Sequence, residues 1–363
     1  MHRTIKLPIT LLLAAVTTAC AAGFPPGGAG GDPGTFDAGP AGPVEVGRSD
    51  ALAAADGVAA GDLELPSAPD GDLPPLPSLG GPFKVGLSQA SFTSSTWGKY
   101  LLTIYYPAAS AGTSTPLAST GAPYPGVVFA HGSDSNKDLY TWVGKHLSSW
   151  GFVCLLFSVP KPAAATNDQW VDGIRSSVDY LVAANSKPGI LKGAIDVSRI
   201  GSTGYSAGAM GTLLAAAQDP RIRAVVSLAP CWSDVEAYQP LTIPAQIQVG
   251  GLDGLCPPAV GEKHYNLLTS PKQLLVIRGA NHIGFLDAGL TYEAARVMTA
   301  LGLLGDKPAT ISRESQEQTT KKYLTSWLQY YLKGNKAYGA YLFGAQAQQD
   351  LAAGVLDKLR SQP

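Results

Sequence analysis

Charge is scarce in this 363-residue chain: Asp, Glu, Lys and Arg make up 15% of it, and the formal net charge is −1. A typical soluble domain carries roughly 25% charged residues, and without an excess of either sign nothing in the composition points to a nucleic-acid partner. Long apolar runs are missing too. The run at the amino end, Leu11 to Val16 behind Arg3 and Lys6, is too short to span a bilayer, which argues against a membrane-embedded chain. There is no internal repeat. Histidine is limited to five residues and cysteine to four, so a catalytic base or a disulfide can be sought by elimination. Apolar residues, in contrast, are an ordinary 45%, enough for a sizeable core.

The 42 glycines and 28 prolines are unevenly spread. In residues 23–82 they occupy 25 of 60 positions, nine acidic residues face the single Arg48, and the only aromatics are Phe24 and Phe36. Such a stretch buries too little apolar surface to offset the entropy of ordering it, so it reads as a disordered, acidic linker. Ahead of it, the basic residues and short apolar run are those of a signal peptide. That run ends in Thr17-Thr18-Ala19-Cys20, which resembles a bacterial lipobox, with Thr17 where an aliphatic residue is usual. The expected organisation is a lipoprotein-type signal peptide over residues 1–20 with cleavage before Cys20, a linker over residues 21–82, and one catalytic domain over residues 83–363. The protein is expected to be exported and held at the (outer) membrane only by lipid on Cys20, or periplasmic or secreted if unlipidated.

Beyond residue 83, short apolar runs alternate with helical periods, the signature of a mostly parallel sheet flanked by helices. Strands are expected at residues 100–106, 126–130, 152–159, 199–203, 224–228, 245–249 and 273–277. Runs such as Val153-Cys154-Leu155-Leu156-Phe157 suit strands covered on both faces. Helices are expected over residues 168–184, where Val171, Ile174, Val178, Leu181 and Val182 recur at three to four residues, and over residues 314–333, ended by Gly334.

Gly204-Tyr205-Ser206-Ala207-Gly208 lies between a strand and a helix, the setting that a nucleophile elbow requires. The tight turn strains the backbone of Ser206 and leaves no room for a Cβ two residues to either side. Serine needs a base. His2 leaves with the leader, His146 and His264 sit in amphipathic helical stretches, and His131 at a strand end shapes a loop. His282 remains, in a loop after the strand at 273–277, at the sheet edge where active sites of open α/β folds collect. Asp253, in the loop after the strand at 245–249, is the carboxylate to orient it, with Asp234 as the rival. The order Ser206, Asp253, His282 is that of α/β-hydrolases. An oxyanion hole is expected from the N–H groups of Ala207 and of Ser133, in His131-Gly132-Ser133.

Residues 83–283 and the final helix resemble the α/β-hydrolase branch of dienelactone-hydrolase-like esterases, platelet-activating-factor acetylhydrolases and cutinase-like polyester hydrolases. The similarity is carried by residues 124–132, residues 142–153 and the elbow at 199–208. It implies carboxylic-ester hydrolysis through an acyl-enzyme, on a small or polymeric ester, without a cofactor or metal. Ala229-Pro230-Cys231-Trp232 resembles the segment that places an acyl-cleft tryptophan, which implies that Trp232 lines the substrate. Ser133 stands where polyester hydrolases place an aromatic residue, Cys231 is an extra residue, and residues 284–312 are an insertion that reads equally as a cap or as an extra core helix. A peptidase or amidase on the same triad, or an inactive tethered binding module, are the alternatives.

Export permits disulfides. Cys154 falls inside an apolar strand and is expected to be inert. Cys231 and Cys256 each lie just past sequential strands, so neighbouring strands would bring them together as a disulfide beside the site.

Overall fold

Near-continuous apolar segments form the middle of the molecule. The computed structural model describes residues 73–231, 241–269 and 271–363; the expected signal peptide, Cys20, most of the expected linker, Trp232 and Asp234 lie outside the described residues. The strands are β1 Lys84–Ser94, β2 Gly98–Ala108, β3 Gly112–Thr113, β4 Tyr124–Ala130, β5 Val153–Ser158, β6 Ile195–Tyr205, β7 Ile222–Leu228, β8 Ala245–Gly250, β9 Lys272–Ile277 and β10 Leu356–Gln362. They form one sheet in the order β10-β9-β8-β7-β6-β4-β5-β2-β1-β3. The run from β5 through β4, β6, β7 and β8 to β9 is parallel, whereas β2, β1 and β10 join by antiparallel pairing. This is the expected α/β-hydrolase fold.

Helices cover both faces: α1 Thr141–Ser149, α2 Asn167–Ser186, α3 Ala207–Gln218, α4 Pro258–Leu267, α5 Leu290–Ala300 and α6 Arg313–Tyr331, then the short α7 Gly339–Leu342 and α8 Ala345–Ala352. Successive residues of the central strands serve opposite cores, as strand geometry dictates. Val128, Val153, Leu155 and Phe157 pack with Trp170, Ile174 and Val178 of α2 and Leu213 of α3. Val127, Phe129, Cys154 and Leu156 pack with Val143 and Leu147 of α1 and Leu324, Trp327 and Leu328 of α6. Cys154 is a free thiol, fully buried, and burial pushes it far up from its ordinary range.

Three connections tie the periphery to this frame. Asp287 caps α1 from across the chain, its carboxylate accepting the N–H groups of Thr141 at 2.7 Å and Trp142 at 3.1 Å. Gly334, with φ +72°, follows α6. Residues 73–82, counted with the linker from composition, lie instead against the domain: Tyr341 Oη donates to Pro74 O at 2.8 Å, Trp150 Nε1 to Leu79 O at 2.9 Å, and Gly81 N to Ser149 Oγ at 2.9 Å. Composition misses this because backbone carbonyls and an amide, not apolar side chains, make these attachments.

Candidate active site

Strand β6 runs straight into Ser206, which begins α3 at φ +56° and ψ −117°. A side chain other than glycine is strained there. The Ser206 N–H is held by Leu228 O on β7 at 2.9 Å. Both flanking glycines are needed. A Cβ on Gly204 would strike Gly208 O, and one on Gly208 would strike the carbonyl of Ala130 at the end of β4 and that of His131 just beyond it.

Two further loops at the carboxyl ends of neighbouring strands meet Ser206 Oγ. His282, after β9, places Nε2 at 3.1 Å from Ser206 Oγ, and its Nδ1 lies 2.7 Å from Asp253 Oδ2 after β8. The other oxygen of Asp253 accepts Cys256 N–H at 2.6 Å. Asp253 and His282 are buried at 1% and 5% exposure, while Ser206 keeps 9%. With its Nδ1–H given to a carboxylate, the imidazole presents Nε2 as an acceptor toward the hydroxyl, the geometry general-base chemistry requires.

The surroundings fix the histidine. Tyr205 Oη donates to His282 O at 3.0 Å, and the two rings lie 4.8 Å apart. Burial, then the nearby Tyr140, Asp253 and Asp306, push the Tyr205 phenol well above its ordinary range, so it remains a donor. Gln316 of α6 grips the backbone of Asn281, accepting its N–H at 3.2 Å and donating to its carbonyl at 2.9 Å. Neither Tyr205 nor Gln316 stood out as a candidate in the sequence, since both act through backbone groups. For Tyr205 the usable signal was its place beside Ser206.

Ala207 opens α3, so its N–H follows the serine at a helix amino terminus, where developing negative charge is favoured. The loop after β4 reaches the same spot: a Cβ on Gly132 would lie 3.2 Å from Ser206 Cβ, and Ser133 is the next residue. His131 braces that loop, with Nδ1 2.7 Å from Gly132 O and Nε2 accepting Val159 N–H at 3.1 Å. Burial lowers its imidazole to about 4. The expected Cys231–Cys256 disulfide is formed, with the two Cα atoms 4.5 Å apart across the ends of β7 and β8. Cys231 Sγ is 3.3 Å from Ser206 Oγ, and Cys256 Sγ is 3.8 Å from His282 Nε2. These sulfurs and His282 cluster within 4.8 Å, but bridged sulfurs offer no thiolate to a metal.

The family model of PET hydrolase-like proteins matches residues 61–301, more than half of the chain. The chain is 27% identical over 211 residues to Cutinase est2 of Thermobifida alba, a match covering 57% of this chain and 65% of that protein. It is 28% identical over 268 residues to the bis(hydroxyethyl) terephthalate hydrolase of Streptomyces coelicolor, covering 74% of this chain and 73% of the relative. Cutinase 1 of Thermobifida cellulosilytica is 28% identical over 214 residues, covering 57% and 74% respectively. The chain thus spans just under two thirds of the length of the Thermobifida alba cutinase. On the family match, over an α/β-hydrolase sheet whose strand ends gather Ser206, Asp253 and His282, this chain belongs to the PET hydrolase-like family.

Proposed function

We propose that the chain is a serine carboxylic-ester hydrolase whose substrates include polyesters and their short ester fragments. The observation that carries this reading is the unbroken line from Asp253 Oδ2 through His282 to Ser206 Oγ, at 2.7 and 3.1 Å. The names of the relatives, cutinase and bis(hydroxyethyl) terephthalate hydrolase, support the substrate class.

In this mechanism Ser206 Oγ attacks the ester carbonyl while His282 Nε2 takes its proton. The carbonyl oxygen becomes an oxyanion facing the N–H groups of Ala207 and Ser133. His282 returns the proton to the departing alcohol, leaving an acyl group on Ser206. Water then attacks the acyl carbon with His282 accepting its proton, and His282 returns that proton to Ser206 Oγ as the carboxylic acid leaves. Asp253 keeps the proton of the neutral ring on Nδ1 and stabilises the imidazolium. Trp232 is assigned as a wall of the acyl cleft.

The test is hydrolysis of p-nitrophenyl butyrate, a matching anilide and bis(hydroxyethyl) terephthalate by wild type and Ser206→Ala, with organophosphonate labelling. The expected result is ester turnover and stoichiometric labelling in wild type and neither in Ser206→Ala. Labelling that persists in the variant removes Ser206 from the mechanism, and preferential anilide cleavage replaces the esterase reading with an amidase.

A further inference from the structure

Residues 284–312, the insertion between His282 and α6, contain a buried carboxylate with no part in the chemistry above. Asp306 is 5% exposed. Its Oδ1 accepts the N–H groups of Gly254 and Lys307, both at 2.9 Å, and its Oδ2 accepts Ile283 N–H at 3.2 Å. Gly254 and Ile283 are the residues that directly follow Asp253 and His282. One side chain therefore holds the backbone of the acid loop and of the base loop, each one residue from the group that must meet the other.

The fit around it is close. A Cβ on Gly254 would strike Gly305 O and lie 3.0 Å from Asp306 Cα, so the insertion lies directly on the acid loop at a position that only glycine leaves open. The adjoining residue joins in from the base side, with Asn281 Nδ2 donating to Lys307 O at 2.8 Å. Burial, with the neighbouring Asp253, raises the Asp306 carboxyl above its ordinary range, and the amide donors and His282 act the other way.

We infer that Asp306 is a positioning residue, which fixes the separation of the Asp253 and His282 loops and so sets the imidazole for proton transfer. The inference rests on the triad reading. The side-chain bond between Asp253 and His282 is one contact between loops from two strands, and it must keep its geometry while the imidazole changes charge. A backbone tie at both loops holds that geometry through the cycle. Misplacing a catalytic group by about 1 Å costs up to about a hundredfold in rate.

The experiment compares wild type, Asp306→Ala and Asp306→Asn on p-nitrophenyl butyrate. Active sites are counted by organophosphonate stoichiometry, and Tm is measured alongside. Asp306→Ala is expected to lower kcat per titrated site by about ten- to a hundredfold, with KM within about twofold of wild type. Asp306→Asn keeps an oxygen for Gly254 N–H and loses the acceptor for Ile283 N–H, so its kcat is expected to fall between the two; if the alanine variant does not fold, the asparagine variant decides. Wild-type kcat per titrated site in the variants, whether or not Tm falls, overturns the inference and leaves Asp306 a purely structural residue. Ser206→Ala, run in parallel, keeps the two readings apart: turnover surviving there defeats the triad itself.

Discussion

Asp253 and the buried histidines show how single ionisable groups act here. Asp253 accepts both His282 Nδ1–H and Cys256 N–H, so Asp253→Asn keeps its volume but turns a donor toward one of them. The expected cost is about four orders of magnitude in kcat, as when the orienting aspartate of a serine protease is replaced, with the fold intact by circular dichroism; Asp234→Asn is expected to cost little, and the reverse pattern reassigns the acid. His131 and His146 behave differently. Burial lowers their imidazoles to about 4 and about 3 from an ordinary 6.5. The unfolded chain therefore binds protons that the folded protein refuses, and stability is expected to fall as pH drops from about 6.5 toward 4, by up to about 1.4 kcal/mol per unit for each histidine. His146 Nε2 sits 3.0 Å from Pro77 O and 2.8 Å from Thr325 Oγ1, contacts a glutamine amide can serve without titrating. His146→Gln is expected to flatten the pH dependence of the urea midpoint, and an unchanged slope would contradict this. The meeting of Ser206, Asp253 and His282 was legible in the sequence because the proposed chemistry restricts residue type, order and loop context. Asp306 and Gln316 were not, since a residue that holds backbone amides can be of many types and leaves no spacing rule.

At the scale of elements, legibility follows burial. Strands β4 to β9 carry apolar runs and were placed within a few residues. Strand β1 was missed because its Gln89, Thr93 and Ser94 break the apolar pattern while its residues stay half-exposed. The edge strand β10 reads LDKLRSQ, too polar to announce itself, and pairs with β9 across a bulge near Lys358. The loops between strands are where elements become a site. The Cys231–Cys256 bridge closes a separation of 25 residues, which chain-entropy reasoning values at about 3 kcal/mol, and Cys256 N–H is the donor to Asp253. A Cys231→Ala/Cys256→Ala double variant is expected to lose about that much stability in urea unfolding and to lose kcat, while Cys154→Ala leaves kcat unchanged because that thiol lies in the core away from the triad. Equal turnover in wild type and the double variant would show that the acid loop is held without the bridge.

For the whole molecule, the question is where the catalytic unit starts. Attachment of the protein to a membrane is proposed to rest on lipid at Cys20, with the Gly- and Pro-rich stretch as its spacer; among the described residues no helix is long and apolar enough to cross a membrane. Cys20→Ala is expected to release the protein from membranes on cell fractionation. Composition draws the spacer to residue 82, yet the attachments of residues 73–82 draw the boundary earlier. Without that segment, Trp150 Nε1 and Tyr341 Oη lose their acceptors and Ser149 Oγ loses its donor, and His146 loses Pro77 O. Several of these groups are buried, and each unpartnered one costs about 1–3 kcal/mol. Two truncations separate the boundaries. Removal of residues 23–72 is expected to leave both Tm and turnover of soluble esters unchanged, since that stretch has too few apolar side chains to build a pocket. Removal of residues 23–82 is expected to lower stability by a few kcal/mol by the same reckoning, with kcat per titrated site retained, because none of the lost contacts touches the loops of Ser206, Asp253 or His282. Equal Tm in the two truncations would return residues 73–82 to the spacer.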